Sequence, residues 1–417
     1  MLLQTILNRV EKHKGFVYRG CRFAGSGTSL SIVVDVTPRE GSKPICSGCH
    51  VPRPGYDTLH LSLFQFVPLW GIIVFFAYSM RRADCPDCGV RVEEVPWATG
   101  KHQLTNSYSW FLALWAKRMS WKDVAVAFRT SWENVFRSVQ MAVGWGRAHV
   151  NLDDISSLGV DEIHWKHGQN YLTLVYQIDE HRKRLLWIGK ARTEATLRGF
   201  FDWFGDTRTG VLRFICSDMW KNYLTVIRER AGQAIHVLDR FHIMSHMSKA
   251  IDEVRAAEVK SLKAKGLEPL LKWTRWLLLK RPENLTEKQE VCLADLLRYN
   301  LRAVRTYLLK EDFQQFWEYV SPTWAGRFLD RWCTRVLRSR IEPMKKVARM
   351  LRGHRALILN WFKAKGTLSC GAVEGLNNKA RVTTKRAYGF RTYEALEVAL
   401  YHTLGDLPEP NFTHRFC

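Results

Sequence analysis

Three carboxylates, far apart in the chain, stand where a strand or a helix can aim them at one point. They are Asp161 in SLGVDEIHWKHG, Asp218 in VLRFICSDMWKNY and Glu374 in CGAVEGLNNKARVTTKRAYGF. The first two end or interrupt apolar, β-rich runs, and the third opens a strongly basic amphipathic stretch. Carboxylates of this kind, brought together from different elements, can hold two divalent ions about 4 Å apart and so break or join phosphodiester bonds. Taken singly, each reads as a helix cap or a surface acid. Their order within one α/β layer shifts the balance towards a site. A second set is Cys46-x-x-Cys49 with Cys85-x-x-Cys88. Each pair puts two thiolates on a tight turn, which suits one tetrahedral structural zinc. Residues 50–84 between the pairs make a long spacer that a hairpin would fill, and His50 can compete as a ligand but leaves the four-cysteine set unbroken. Asp239-Arg240-Phe241-His242 sets a carboxylate and an imidazole on one turn, a pattern that also arises by chance.

The elements that must position these residues fall into four regions. Residues 1–100 hold the cysteines and short β-like runs. Residues 101–150 read as helices, and WKDVAVAF, a short RTS break and WENVFRSVQMAVGWG resemble a helix-turn-helix. From Ser157 the pattern is three strands, helix, strand, helix, strand, with Asp161 on the first strand and Asp218 at the end of the fourth. The last of these strands, AIHVLD, should lie beside the Asp218 strand. From about Arg240 to Ala364 the pattern is helical and rich in Trp, Arg and Lys, an insertion between Asp218 and Glu374. Two helices close the chain. The expected division is 1–100, 101–150, 151–239 with 365–417, and 240–364.

The balance of 63 Lys and Arg against 40 Asp and Glu gives a formal charge of +23 over 417 residues. A chain this basic most often meets a polyanion, nucleic acid first. In the helix-turn-helix, Asn134, Arg137 and Gln140 are side-chain types that read base edges, though any helical hairpin can look similar. After Glu374, helical spacing sets Asn378, Arg381 and Lys385 near one face, with Lys379 and Arg386 beside it, where cations would grip a phosphate backbone. Most insertion tryptophans read as core. Four of the ten cysteines pair as CxxC and six are scattered, the pattern of a reducing cytoplasm rather than a disulfide framework. The uncharged run Leu61–Met80 has the length of a membrane span, but Pro68 and Gly71 interrupt it, so two strands joined by a PLWG turn are expected and no membrane partner.

The run GAVEGLNNKARVTTKRAYGFR is similar to the E-G-x-N-N…K…R-x-A-x-G-F-R signature of bacterial insertion-sequence transposases of the ISL-three family. GVDEIHWKHG resembles that family's first-Asp segment and CSDMWKNY its second, and DRFHI resembles the downstream Asp/Cys-x-x-His element of several DDE groups. The resemblance covers nearly the whole chain. It implies a multidomain fold: a zinc-ribbon-like β module, a helix-turn-helix, and a ribonuclease H-like α/β domain interrupted by an all-α insertion. It further implies a DDE enzyme in which Asp161, Asp218 and Glu374 hold two Mg²⁺ (or Mn²⁺), with Glu162 a neighbour rather than a ligand; His242, from its place after the strand AIHVLD, is expected to assist by holding a phosphate or flanking base. Such an enzyme binds terminal inverted repeats, cleaves strands and joins them to target DNA. It is expected to act as a homodimer on double-stranded DNA at the nucleoid. The alternatives are an inactive DNA-binding regulator and a nuclease of the same fold without strand transfer.

Overall fold

The computed structural model describes residues 3–100, 102–166, 170–266, 271–364, 371–386 and 390–411, without the side chains of Lys166 and Arg386. The chain divides into two compact units, residues 1–151 with 382–417, and residues 152–381. The division falls inside the helix that carries Glu374. The expected domain 151–239 with 365–417 is therefore split at 381, and 382–417 groups with the N-terminal residues.

The first unit begins with α1 (Leu3–Val10), β1 (Phe16–Ala24), β2 (Ser31–Pro38), β3 (Gly55–Leu69), β4 (Ile72–Cys85) and β5 (Gly89–Val92). They form one sheet in the order β1-β2-β4-β3, with β5 also on β4. Its core is Phe16, Tyr18, Phe64, Phe66, Phe76 and Tyr78 around the buried Trp97. The uncharged run is the β3–β4 hairpin. Leu69 pairs with Ile72 across Trp70 (φ 51°) and Gly71 (φ 77°), the two positive φ values of a tight two-residue turn. Among the described residues no helix is long and apolar enough to cross a membrane. Then follow α2 (Asn106–Ala116), α3 (Trp121–Ala127) and α4 (Trp132–His149). Ser120 and Ser131 cap α3 and α4 by accepting the Asp123 and Asn134 N–H groups, so the break expected at RTS is a true helix start.

The second unit opens with β6 (Ser157–Lys166), β7 (Asn170–Ile178), β8 (Lys183–Lys190), α5 (Glu194–Phe204), α6 (Asp206–Gly210), β9 (Phe214–Ser217), α7 (Lys221–Arg230) and β10 (Ile235–Leu238). Apart from the short α6, this is the expected order. The sheet runs β10-β9-β6-β7-β8, with β6, β7 and β8 antiparallel in turn and β9 and β10 parallel to β6. Asp161 therefore lies on the central strand, and β10 does pair with β9. Phe200, Phe201, Phe204 and Tyr223 fill the core under the sheet.

The helical block follows: α8 (Arg240–Ala264), α9 (Arg275–Leu279), α10 (Glu287–Leu296), α11 (Arg302–Gln314), α12 (Pro322–Leu337), α13 (Glu342–Gly353) and α14 (Arg355–Ala364). Its own core includes the buried Phe313, Trp317 and Trp332, but Trp273, Trp276 and Trp324 are exposed, so the insertion tryptophans are not mostly core as expected. The closing helices are α15 (Gly371–Arg386) and α16 (Tyr393–Leu404), of which α16 packs on α4 in the first unit.

Burial also sets a pH dependence. It pushes His402, on α16, down to about 3 and His236, on β10, down to about 4. Both fold as neutral imidazoles, whereas the unfolded chain protonates near 6.5. Their stability contribution is thus complete above pH 6.5 and is lost as pH falls towards 4. By linkage each costs at most about 2 kcal/mol at pH 5. Denaturation of the His402→Asn protein should show a shallower loss of stability between pH 7 and 5, by up to one proton. An unchanged slope would remove His402 from the account.

Candidate active site and zinc-type cysteine cluster

The central strand is built to receive α15. A Cβ at Gly159 would lie 2.5 Å from Val373, so only glycine lets that helix approach β6 this closely. Two residues on, Asp161 is buried. Its Oδ2 accepts a hydrogen bond from Asn377 Nδ2, and its Oδ1 accepts the Glu162 N–H at 2.7 Å. Asn377 is itself buried, and its Oδ1 accepts from the Tyr176 hydroxyl at 2.6 Å. This clamp ties the helix of Glu374 to the strand of Asp161.

Asp218 follows β9 directly and accepts the Trp220 N–H at 3.0 Å. Burial pushes its carboxyl up to about 6; the Trp220 N–H opposes this, and the charges of Glu162 and Asp161 add to it. Asp239 caps α8 by accepting the Phe241 N–H at 2.8 Å. Burial raises it to about 6 as well, with Asp161 and Glu374 contributing like-charge repulsion. His242 Nε2 faces Asp161 Oδ2 at 3.7 Å and Asp239 Oδ2 at 4.0 Å. Its pairing with Asp161 lifts the imidazole to about 9 against the opposing effect of burial. Asp239 thus caps α8, and at 4.0 Å it faces His242 as a charge without hydrogen-bonding it.

Asp161, Asp218, Glu374, Asp239 and His242 therefore form one electrostatic neighbourhood. Their ligand atoms are less tightly gathered than the cysteines. Among the described residues, only the four cysteines have ligand atoms all within 4.8 Å of one another. The donors still suit a hard cation: they are carboxylate oxygens, and those of Asp218 and Asp239 are pushed up by burial with neighbouring acids adding to it. Glu162 is held aside by Arg192 at 3.0 Å, and the Arg192 guanidinium stacks over Tyr171 and Trp220.

Asn377, Arg192 and Trp220 do not stand out in the sequence. For Asn377 a signal existed, since three residues past Glu374 is the same helix face. Asn378, Lys379, Arg381 and Lys385 are exposed on α15, while the side chain of Arg386 lies outside the described residues. On α4, Arg137 is exposed. Asn134 donates to Thr130 Oγ1 at 3.0 Å, and Gln140 donates to Glu394 Oε1 at 2.7 Å, so both have partners within the protein.

The four cysteines converge at the open end of the β3–β4 hairpin, which fills the long spacer. Cys46 and Cys85 are buried, and Cys49 Sγ lies 3.7 Å from Cys85 Sγ. Gly48 is required here, because a Cβ would sit 2.9 Å from Cys88 Sγ. N–H groups of the knuckle lower Cys46 to about 7, whereas burial pushes Cys88 up to about 12. A set that crowded holds four thiolates only with a cation among them, so it fits zinc. His50 is not a competing ligand. It is exposed and bonds Glu94 at 2.7 Å.

A family model described as a transposase, of the DDE ISL-three (ISL3) type, matches residues 158–400. The chain is 30% identical over 400 residues to the transposase for insertion sequence element IS1557 of Mycobacterium tuberculosis, in both strains CDC 1551 / Oshkosh and H37Rv, covering 89% of this chain and 88% of the relative. It is 28% identical over 371 residues to the transposase for insertion sequence element IS1001 of Bordetella parapertussis, covering 88% of this chain and 90% of that one. With the match spanning both carboxylate-bearing strands and the Glu374 helix, the chain belongs to the ISL3 family of insertion-sequence transposases.

Proposed function

We propose that this transposase binds the terminal inverted repeats of its insertion sequence, cleaves strands there and joins them to target DNA. The observation that carries the reading is the Asp161–Asn377 clamp, which links the Glu374 helix to the central strand beside Asp218. The strand order, with three antiparallel strands followed by two parallel ones, supports a ribonuclease H-like catalytic domain with residues 240–364 as its all-α insertion.

Asp161, Asp218 and Glu374 are the proposed ligands of two Mg²⁺ or Mn²⁺ ions. When bound, the ions activate the attacking oxygen and stabilise the leaving one. The chain's own residues fix the donors. Asn377 and the Glu162 N–H hold the two oxygens of Asp161, and the Trp220 N–H holds Asp218. His242, 3.7 Å from Asp161, is placed to offer a hydrogen bond to a phosphate oxygen. Arg137 is the proposed reader of base edges in the helix-turn-helix. Asn134 and Gln140 would have to exchange protein partners for DNA to share that role. Asn378, Lys379, Arg381, Lys385 and Arg386 are proposed to grip backbone phosphates. Zinc on the four cysteines would be structural. We further propose a homodimer on DNA, one protomer per end, acting in the cytoplasm at the nucleoid.

Incubation with DNA carrying the element's terminal repeats, a target plasmid and Mg²⁺ or Mn²⁺ should yield joined products. Ends cut but never joined would make the protein a nuclease. Binding without nicking would leave a regulator.

A further inference from the structure

Helix α12 turns one line of cations to solvent. Its buried face is Ala325, Leu329, Trp332, Cys333 and Val336. Trp324, Arg327, Arg331, Arg335 and Arg338 are exposed. Steps of three and four residues set these five along one stripe, about 21 Å long at 1.5 Å per residue. The nearby acids are already neutralised. Asp330, the only acid on α12, takes two hydrogen bonds from Arg355 at 2.9 and 3.0 Å, and Asp312 pairs with Arg335. Among the described residues, Arg327, Arg331 and Arg338 have no carboxylate partner. Arg331 reaches only the Arg327 carbonyl, at 3.4 Å. The Arg327 guanidinium lies 4.8 Å from the exposed Trp324 ring. A hollow of about 450 Å³ opens beside the stripe, lined by Asp330, Arg331, Thr334, Arg335 and Arg338.

A solvated helix face ordinarily alternates charge sign, and like charges one turn apart destabilise a helix. With Asp330 held by Arg355 and Asp312 taken up by Arg335, the cations Arg327, Arg331 and Arg338 are left as a line of one sign, complementary to a regular polyanion. We propose that this ridge of the helical insertion grips the phosphate backbone of duplex DNA without regard to sequence. The proposal rests on the DNA-transposase reading and adds to it a binding surface made of other residues than the carboxylate neighbourhood.

The test is a salt titration of DNA binding by the full-length protein, on duplexes with and without the terminal repeat. Each phosphate that a cation ceases to neutralise takes about 0.9 from the slope of log affinity against log salt. The Arg327→Gln, Arg331→Gln, Arg338→Gln protein should therefore bind both duplexes more weakly, with slopes shallower by about 2 to 3. Its preference for the repeat should be unchanged and its melting temperature should not fall, because the three side chains have no acidic partner to lose and their mutual repulsion is removed. The corresponding triple lysine variant should restore the slope. If wild type binds steeply and the glutamine variant keeps that slope, the ridge is wrong and the transposase reading stands. A loss confined to the repeat duplex would also overturn the ridge, since it would mean base reading. If wild type binds neither duplex, both readings fall.

Discussion

Asp161→Asn, Asp218→Ala and Glu374→Gln should each reduce strand cleavage by about a thousandfold or more, while binding of the terminal repeats is retained. Such a loss corresponds to about 4 kcal/mol of transition-state stabilisation, the scale on which a metal-held oxygen acts. Asparagine is the cleaner change at 161, because alanine would also strip Asn377 of its buried acceptor and confound activity with folding. Stability supplies an independent arm. In chelator, Asp218 is a largely buried carboxylate pushed up by burial and by Glu162 and Asp161, so its charged form opposes folding above its ordinary titration range. The Asp218→Ala protein should then melt no lower than wild type while losing cleavage. His242→Ala should only slow the reaction, since the trio supplies the ligands. Near-normal cleavage by any one carboxylate variant would remove that residue from the site.

What is legible in the sequence is whatever local pattern encodes. The run from β6 to β10 is legible because each strand is an apolar stretch bounded by turns. Asp161 and Asp218 stand out as acids on or at the ends of such stretches, and the hairpin is legible from Pro68 and Gly71. The partners of these residues are not, because they come from far along the chain. Asp161 is held by Asn377, and Gln140 by Glu394, and nothing near either residue announces the other. Of the adjacent pair Asn377 and Asn378, the spacing picks out the exposed one for DNA, while the buried one forms the clamp. Helical phase separates them, but only once the position of α15 on the sheet is known.

Glycines show the same limit. Gly159 and Gly48 are ordinary residues in their local segments. Each proves necessary because another element approaches it, Val373 in one case and Cys88 in the other. The unit boundary inside α15 is of this kind too. No change of composition marks residue 381, and the separation lies wholly in which residues touch.

Metal analysis of the purified protein should find about one zinc per chain, and the Cys85→Ser, Cys88→Ser protein should hold almost none. Structural zinc on thiolates contributes on the order of 10 kcal/mol of apparent binding free energy, all of it available to folding. Where that energy acts follows from the packing. Cys46, Ala83 and Cys85 form a small cluster of their own with Cys49 and Cys88, separate from the aromatic core around Trp97. Loss of metal should therefore loosen the cysteine end of the hairpin, and β5 with it, before the β1-β2-β4-β3 core. Amide exchange should show protection lost around residues 44–54 and 83–93, with Phe76 and its neighbours still slow. His50, engaged by Glu94, should not rescue binding, so His50→Ala in the wild-type background should leave the zinc content at about one. Zinc retained at full occupancy in the double serine protein would overturn the four-thiolate assignment.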